Sequence, residues 1–304
     1  MFLIFDTETT GLPKKWNAPI SDSDNWPRCI QLAWQLHDIK GDLISNHSYL
    51  LKPEGFTIPF EAEKIHGIST DLASKIGKNI NEVLDLFISD YNKSGFLVGH
   101  NVKFDINIIG AELYRIGHSI DITKKDVLDT CNELTANVCK LPGGRGGKYK
   151  YPTLIEIYSL LFKEKFNEAH NASADVEATS RVFFELVRKA VFDQSVFKGY
   201  PDLIENIENE ENIPIPLLGL KHLNLKKESE KIKKALIKEE NNDENISAEI
   251  PKQLINTPFV HLHNNSQFSV LQSTSRIINL VNKAAEFKMP AIAITDRANM
   301  MGCF

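Results

Sequence analysis

Short apolar runs alternate with stretches of helical periodicity through the first 195 residues, and this alternation limits the fold more than any other feature of the sequence. The apolar runs have the length and composition of β-strands, and the stretches between them repeat apolar residues at helical spacing. Strands that alternate with helices are typical of an α/β domain. We therefore predict an α/β domain over residues 1–195, with strands in the runs 2–5, 30–36, 48–51 and 96–98.

Two further regions follow this domain. Residues 196–256 are polar, acidic and interrupted by proline, which predicts a linker, and a charged stretch at 220–240 predicts one helix within it. Residues 257–304 have the pattern of a strand, a helix and a second strand. This order is typical of a single βαβ unit. The chain is therefore predicted to contain a domain, a partly helical linker and a small C-terminal segment.

The overall composition argues against several classes of protein. The net charge of -5 argues against a strongly basic nucleic-acid coat, although an acidic site filled with metal ions still attracts phosphate. The sequence has no run of about 18 apolar residues and no basic leader, so we expect a cytoplasmic protein without a membrane partner. The four cysteines form no CxxC pair, so we expect reduced thiols rather than disulfides or a zinc site.

The first predicted strand carries two acidic residues. Asp6 and Glu8 are two positions apart in "FDTET", so their side chains point to the same face while Thr7 points to the opposite face. Two carboxylates on one face repel each other unless a cation offsets their charge, and oxygen ligands suit Mg²⁺ or Mn²⁺. The alternative is that both acids lie at a solvated strand end.

A third acidic residue, Asp105, follows another predicted strand. Asn101 is a suitable N-cap for a helix whose apolar residues recur at helical spacing, which places Asp105 in the first turn of that helix. Functional groups of α/β folds often lie beyond the carboxyl ends of strands. The alternative is an acid that complements the helix dipole.

A fourth acidic residue, Asp175, belongs to a helix predicted to begin near Ser173. His170 precedes it by five residues, in the loop before the helix, where its imidazole can reach the acidic residues. Taken alone, His170 is better explained as a histidine at the surface or at the helix entry than as a base.

Three motifs, Asp-x-Glu on the first strand, Asn-x-x-Phe-Asp at the middle helix and His-x-x-x-x-Asp before the late helix, occur in this order. Together they resemble the DEDDh family of 3′-to-5′ exonucleases over residues 1–190. The resemblance implies a ribonuclease H-like α/β fold, a mixed central sheet flanked by helices. It implies that Asp6, Glu8, Asp105 and Asp175 bind two Mg²⁺ ions, with Mn²⁺ as a substitute, and that His170 is the general base.

The resemblance also implies a cleft that receives a single-stranded or frayed DNA 3′ end, with apolar side chains stacked against the last bases. Core packing is the alternative role for Leu12 and Phe104, and a structural turn is the alternative role for His66. The predicted nucleic-acid contacts are Thr7, Leu12, Asn101, Phe104 and His66.

In the C-terminal segment, His261 and His263 share one face of the first predicted strand, a spacing suited to metal ligands, and "ITDRAN" follows the second strand. With these two motifs the segment resembles the beginning of a PHP domain, the barrel-like domain that opens the alpha subunit of bacterial DNA polymerase III. In the second motif, Arg297 stands where the family's metal-binding form has histidine. We expect an incomplete βαβ unit of a PHP barrel over residues 257–304; the alternative is an unrelated small motif.

These resemblances imply metal-dependent hydrolysis of phosphodiester bonds at DNA 3′ ends, with release of nucleoside monophosphates. The expected role is proofreading within a DNA polymerase III alpha polypeptide, with polymerase and sliding-clamp components as partners. Two alternatives stay open on the sequence: a stand-alone exoribonuclease of the same family, and a non-catalytic docking module of the replication machinery.

Overall fold

A computed structural model describes residues 1–166, 170–197, 215–244, 260, 264–266 and 275–296. The chain divides into two compact units, Met1–Ala235 and Leu236–Phe304.

A five-stranded mixed sheet forms the centre of the first unit, in the order β3-β2-β1-β4-β5. β1 pairs antiparallel with β2 and parallel with β4, while β2–β3 is antiparallel and β4–β5 is parallel. All four predicted strands are present, and the predicted α/β class with a mixed sheet is confirmed. The strands are β1 (Phe2–Thr9), β2 (Cys29–His37), β3 (Leu43–Leu50), β4 (Phe96–Gly99) and β5 (Asp126–Asp129).

Helices cover both faces of this sheet, and they also connect β3 to β4 and β4 to β5. Several begin at side-chain caps, such as Thr153, whose hydroxyl accepts a hydrogen bond from the Glu156 N–H. In the described residues of the first unit, the helices are α1 (Phe60–His66), α2 (Thr70–Ile76), α3 (Ile80–Lys93), α4 (Lys103–Arg115), α5 (Glu133–Cys139), α6 (Leu154–Phe162), α7 (Ala172–Arg188) and the beginning of α8 (Leu225–Glu244).

The alternation of side chains along β1 sends its residues into two different cores. Phe2 and Ile4 pack with apolar residues of α6 and α7 on one face. Leu3 and Phe5 pack with α3 and α4 on the other face. Because the period of a strand is two residues, positions 6 and 8 continue toward α7 and position 7 continues toward α4. This parity decides which acidic residues meet at the end of β1.

Residues 215–235, which we call the strap, pack against the rest of the first unit, in a region where the sequence predicts a linker. Leu225 is buried in a cluster with Ile58 and Leu72. Farther along, the Ser229 hydroxyl donates to the Gly67 carbonyl at 2.6 Å and accepts from the Ser69 N–H at 3.0 Å. The predicted helix is present as α8. Its charged composition resembles that of a linker because it buries only a narrow apolar face.

The turn after α1 fits closely under the strap. Gly67 has φ +77° and closes the helix with a hydrogen bond from its N–H to the Glu63 carbonyl. A Cβ at this position would lie 2.9 Å from the backbone nitrogen of Lys226. Glycine is therefore favoured here by the left-handed backbone and also by the approach of the strap.

The described part of the second unit contains the end of α8 and one further helix, α9 (Ile277–Glu286), which the sequence predicts. The Thr295 N–H donates to the Asn264 carbonyl at 2.8 Å, and the Asn264 amide donates to the Ala293 carbonyl at 2.9 Å. The positions that the sequence singles out in this segment, His261, His263 and Arg297, lie outside the described residues. Among the described helices, none has both the length and the apolar character needed to cross a bilayer.

Candidate active site

Three of the predicted acidic residues meet at the carboxyl end of β1. Asp6 and Glu8 reach this point from the strand, and Asp175 reaches it from the first turn of α7. Each offers a carboxylate oxygen, and these oxygens lie within 4.8 Å of one another. The register of β1 against β2 shifts immediately afterwards, between Glu8 and Thr9. Such irregularities often lie beside functional sites, where they redirect a strand.

Asp105 approaches the same strand from the opposite face. Its Oδ1 accepts hydrogen bonds from the Thr7 N–H at 3.0 Å and from the Thr7 hydroxyl at 2.6 Å. The parity of β1 explains the arrangement, because Thr7 faces α4 while Asp6 and Glu8 face α7. Asp105 is buried, and its charge is close enough to raise the pKa of both Asp6 and Glu8. The fold thus places all four predicted acids around one strand end.

Burial dominates the electrostatics of these carboxyl groups. Withdrawal from water, followed by repulsion from the neighbouring acids, raises the pKa of Asp6 and of Glu8 well above the ordinary values. Burial also raises the pKa of Asp105 to about 7, against the opposing effect of the Thr7 hydrogen bonds. The pKa of Asp175 is raised to about 7 by the same cause. The anionic cluster is therefore unfavourable without a compensating positive charge.

The donor set fits a divalent metal ion. Asp6, Glu8 and Asp175 offer only oxygen ligands, and their oxygens are close enough to share one cation. Hard cations such as Mg²⁺ and Mn²⁺ prefer carboxylate oxygens. A bound cation also offsets both the burial and the mutual repulsion that raise the pKa of these groups.

His170 lies on the loop that leads into α7, at the rim of the acidic cluster. Its backbone has φ +68°, and its N–H donates to Asp175 Oδ2 at 3.0 Å. The exposed side chain lines a cleft with Asp6, Asp175 and the beginning of α6. A left-handed backbone at a residue other than glycine is uncommon and persists where surrounding contacts enforce it. The loop thus presents an imidazole beside the carboxylates.

A second cleft opens on the other side of Glu8. Leu12 is 73% exposed and lines this cleft together with His66 and the partly buried Phe104. The ring of Trp16 packs against Phe104 with the ring centres 5.9 Å apart. Leu12 therefore does not serve as core packing, since most of its side chain faces solvent. The walls of this cleft are mainly apolar.

His66 forms part of this cleft and also supports its own turn. The Ile68 N–H donates to His66 Nδ1 at 3.0 Å, so the unprotonated nitrogen is Nδ1. Burial, with a smaller effect from His170, lowers the pKa of His66 to about 4. The imidazole is therefore neutral near pH 7, with its proton on Nε2.

The structure shows contacts of Thr7 and Asn101 that the sequence does not predict, and their contact with nucleic acid stays a prediction. Thr7 is buried, and both of its donors are directed to Asp105. Asn101 does not cap α4: the helix begins at Lys103 after Val102, and Asn101 has φ +63° with its N–H donated to Asp129 Oδ1 at 2.8 Å. A left-handed turn at Asn101 replaces the capping hydrogen bond. Its side chain is exposed beside the site.

Sequence reasoning missed two groups near the site. Asp129 ends β5 beside β4, accepts from the Asn101 and Cys131 N–H groups, and raises the pKa of Asp105. A strand with charged residues at both ends gives only a weak apolar signal in the sequence. Functional groups of α/β folds often lie at the carboxyl ends of strands, and this tendency would have pointed to Asp129. Gln31 lies opposite Glu8 on β2, and its amide contacts Asn171 and Ala172 beside His170. The sequence gives no signal for this contact between residues 140 positions apart.

Comparison with solved structures supports the fold. The zinc-bound complex of Escherichia coli exonuclease I with single-stranded DNA superposes with a TM-score of 0.50 and 22% sequence identity. The superposition covers 64% of this chain and 42% of that chain. At this level of identity the likeness shows a shared fold, and the predicted ribonuclease H-like exonuclease fold is confirmed.

Sequence comparison gives relatives from bacteria. The 3′-5′ exonuclease DinG of Bacillus subtilis is 28% identical over 195 residues, which is 62% of this chain and 18% of that protein. The PolC-type DNA polymerase III of Caldanaerobacter subterraneus is 27% identical over 191 residues, which is 62% of this chain and 12% of that protein. The chain thus spans less than a fifth of the length of either relative.

Two family models match separate parts of the chain. The model of the PHP domain matches residues 261–304, in agreement with the predicted resemblance. The model described as Exonuclease (RNase_T) matches residues 3–183, which include all four acidic residues and His170. Since this second match covers more than half of the sequence, the chain belongs to the exonuclease family.

Proposed function

We propose that this protein removes nucleotides from the 3′ ends of DNA by metal-dependent hydrolysis, and that it does so as the proofreading activity of a DNA polymerase III. The observation that carries the proposal is the convergence of Asp6, Glu8 and Asp175 within 4.8 Å, inside the part of the chain that matches the exonuclease family. The carboxylates occupy the end of β1, between two clefts that can receive the two sides of a scissile bond.

Asp6, Glu8, Asp105 and Asp175 are the proposed metal-binding residues, with Mg²⁺ as the natural ion and Mn²⁺ as a substitute. Two such ions supply activation of the attacking water and stabilisation of the leaving 3′-oxygen. Thr7 contributes by orienting Asp105, because its two hydrogen bonds fix one carboxylate oxygen and leave the other available. The raised pKa values support the proposal, since they mark carboxyl groups that gain from a nearby cation.

His170 is the proposed general base. An imidazole on an exposed loop beside the carboxylates can accept a proton from the attacking water and release it to solvent. The hydrogen bond from the His170 N–H to Asp175 holds the backbone of this residue while the ring stays exposed. The proton thus leaves the reaction centre through a side chain that is not itself a ligand.

The cleft formed by Leu12, His66 and Phe104 is the proposed site of the terminal nucleotide. Its apolar walls can stack against a base of any identity, and stacking of this kind requires a base that is free of its partner strand. The loop before α6 is exposed and carries Arg145, Lys148 and Lys150. These cationic side chains can contact phosphates farther along the DNA strand. Single-stranded or frayed 3′ ends are therefore the proposed substrate.

The polymerase context rests on the relatives and on the C-terminal match. A PolC-type DNA polymerase III is among the similar proteins, and a PHP-domain match follows the exonuclease match in the same chain. We assign residues 1–195 to the exonuclease, 196–256 to a connecting region and 257–304 to the beginning of a PHP domain. Polymerase and sliding-clamp components are the proposed partners, and the cytoplasm is the proposed location.

The test is the release of nucleotides from 3′-labelled single strands of DNA and of RNA with the same sequence. We expect Mg²⁺-dependent release of mononucleotides from DNA, abolished by a chelator and by Asp6→Asn, and lowered about 10²–10⁴-fold by His170→Ala. Asp126→Asn is the matched control, because Asp126 is an exposed acid on β5 away from the cluster.

Three results would contradict parts of this proposal. Undiminished release by both Asp6→Asn and His170→Ala would reject the site. Faster degradation of RNA than of DNA would favour an exoribonuclease. Binding of 3′ ends with no release by the unmodified protein would favour a docking module.

A further inference from the structure

The loop that carries His170 is tied to the strap through its neighbour Asn171. Asn171 Nδ2 donates to the Leu223 carbonyl at 3.0 Å, while its Oδ1 caps α7 by accepting from the Ser173 N–H at 3.3 Å. The same Oδ1 accepts from Gln31 Nε2 at 3.1 Å. One side chain therefore joins the helix start, a central strand and the strap, next to the proposed general base.

A second tie lies one residue earlier in the strap. His222 Nδ1 forms a hydrogen bond with the Ser173 hydroxyl at 3.0 Å, and His222 Nε2 donates to Glu177 Oε2 at 2.7 Å. The other oxygen of Glu177 accepts from the Gly219 N–H at 2.6 Å and from the Leu220 N–H at 3.3 Å. The first two turns of α7, which also carry Asp175, are thus bonded to the strap at several points.

Burial increases the free-energy cost of losing any of these hydrogen bonds. Glu177 and Gln31 are almost fully buried, so each loses hydrogen bonds to water that its protein partners must replace. A buried network with every member paired holds a single arrangement, whereas one lost partner leaves a buried polar group unsatisfied. The strap supplies the partners of Glu177, whereas Gln31 is connected to the strap through Asn171.

The backbone of His170 needs such support. A left-handed conformation at a residue other than glycine is less favourable than the alternatives unless neighbouring contacts enforce it. On one side the enforcing contact is Asp175, and on the other side it is Asn171 with the strap. The strap lies beyond the residues that match the exonuclease family, which end at 183.

We propose that the strap positions the general base: His222 and the Leu223 carbonyl hold the loop of residues 170–173 so that the His170 imidazole faces the acidic cluster. His222 and Asn171 are positioning residues and take no part in bond making. This inference rests on the proposed function for its kinetic consequence, because His170 is a general base only if the site is hydrolytic.

Two variants remove the two ties while the helix cap is kept. His222→Ala removes the contacts with Ser173 and Glu177. Asn171→Ser keeps a capping hydroxyl for α7 but is too short to reach the Leu223 carbonyl. We expect either variant to lower kcat for single-stranded DNA about tenfold or more, with KM within about twofold, since a misplaced catalytic group affects the chemical step rather than binding.

The double variant tests whether both ties act on the same loop. If they do, its kcat falls by less than the product of the two single effects. His222→Gln keeps a donor for Glu177 and should recover part of kcat. Lys233→Ala is the matched control, because Lys233 pairs with Glu63 at the far end of the strap and has an exposed side chain.

Amide hydrogen exchange in the full chain gives a readout that needs no catalysis. We expect the amides of residues 170–173 to exchange at least about tenfold faster in His222→Ala and in Asn171→Ser, and at the unmodified rate in Lys233→Ala. If His222→Ala does not fold, Asn171→Ser and Ser173→Ala carry both measurements.

The possible results separate this inference from the proposed function. Unchanged kcat and unchanged exchange at residues 170–173 would overturn the positioning role, as would equal losses in Lys233→Ala. A KM effect with constant kcat would point to substrate binding and would also reject it. If the unmodified protein releases no nucleotides, the proposed function fails, and the exchange rates alone decide whether the strap holds the loop.

Discussion

Thr7 separates two metal-binding candidates on β1 and points to the opposite face of the sheet, where both of its donors hold Asp105. Neighbouring residues of β1 therefore contribute to the site from both faces of the sheet. A polar residue between two acids would otherwise leave a hydroxyl in the core beside α4, and Asp105 is the partner that satisfies it. The spacing of Asp6 and Glu8 shows that they share a face, but the sequence contains no sign of the Thr7–Asp105 contact.

The raised pKa values of Asp105 and Asp175 have a consequence for stability without metal. Both carboxyls have a pKa of about 7 in the folded protein because of burial, while the unfolded chain releases these protons near pH 4. The folded state therefore binds more protons, and the free energy of unfolding falls as the pH rises toward and through 7. Three histidines with lowered pKa act in the opposite direction below about pH 6.5; these are His37, His66 and His100.

We accordingly expect the melting temperature in a chelator to fall between about pH 7 and pH 8, where the histidines no longer contribute. Mg²⁺ should raise the melting temperature more at pH 8 than at pH 6, because metal ions bind the deprotonated carboxylates. Calorimetry of the unmodified protein and of the Asp105→Asn, Asp175→Asn double variant measures this. A melting temperature that rises with pH in the chelator, or a double variant with the same slope, would contradict the expectation.

Two elements illustrate what local sequence can and cannot predict. Strands β1, β2 and β4 are apolar runs buried on both faces, so composition alone predicts them. β5 has charged residues at both ends, and it becomes a strand because its backbone pairs with β4. The α8 part of the strap is mostly charged, and Leu225, Ser229 and Ile232 form the narrow face that contacts the rest of the first unit. Tertiary contacts determine the structure of β5 and of the strap, and local sequence patterns do not contain information about such contacts.

The burial of Leu225 leads to a stability prediction for the strap. Leu225→Ala removes a side chain that is 4% exposed from a cluster with Ile30, Ile58 and Leu72, and we expect it to lower the free energy of unfolding by about 2–5 kcal/mol. Leu218→Ala is the control, because Leu218 is an exposed leucine of the same strap and should change stability by less than about 0.5 kcal/mol. Urea unfolding followed by circular dichroism measures both. Equal effects of the two substitutions would mean that the strap is not packed in solution.

At the scale of the whole molecule, every residue assigned to the site lies in the unit Met1–Ala235. The family match ends at residue 183, some 50 residues before the end of that unit. The two boundaries therefore differ on whether the strap is part of the folded exonuclease. The sequence predicts the domain class correctly because the class follows from periodicity, and its motifs point to acids that the fold brings together at the end of β1. It places the domain end near residue 195 because the following composition is polar.

Fragments of the chain distinguish these boundaries. We expect residues 1–244 to keep the Mg²⁺-dependent nuclease activity of the full chain within about twofold, since the site and the strap are both included. Residues 1–195 should melt at a lower temperature and lose most of the activity, because the fragment exposes the apolar cluster that Leu225 covers and leaves Glu177 without the strap's donors. Equal stability and activity of the two fragments would show that the strap is dispensable.

The close fit at Gly67 gives a way to recognise a strap in a related sequence. The turn after α1 needs a left-handed residue, which asparagine can supply as well as glycine, but the approach of Lys226 leaves no room for a side chain. A homologue with asparagine at this position satisfies the turn and blocks the strap. We therefore expect glycine at position 67 to occur in homologues that have a packed segment after α7. This single position in an alignment would then separate exonucleases with a strap from exonucleases that position the histidine loop by other means.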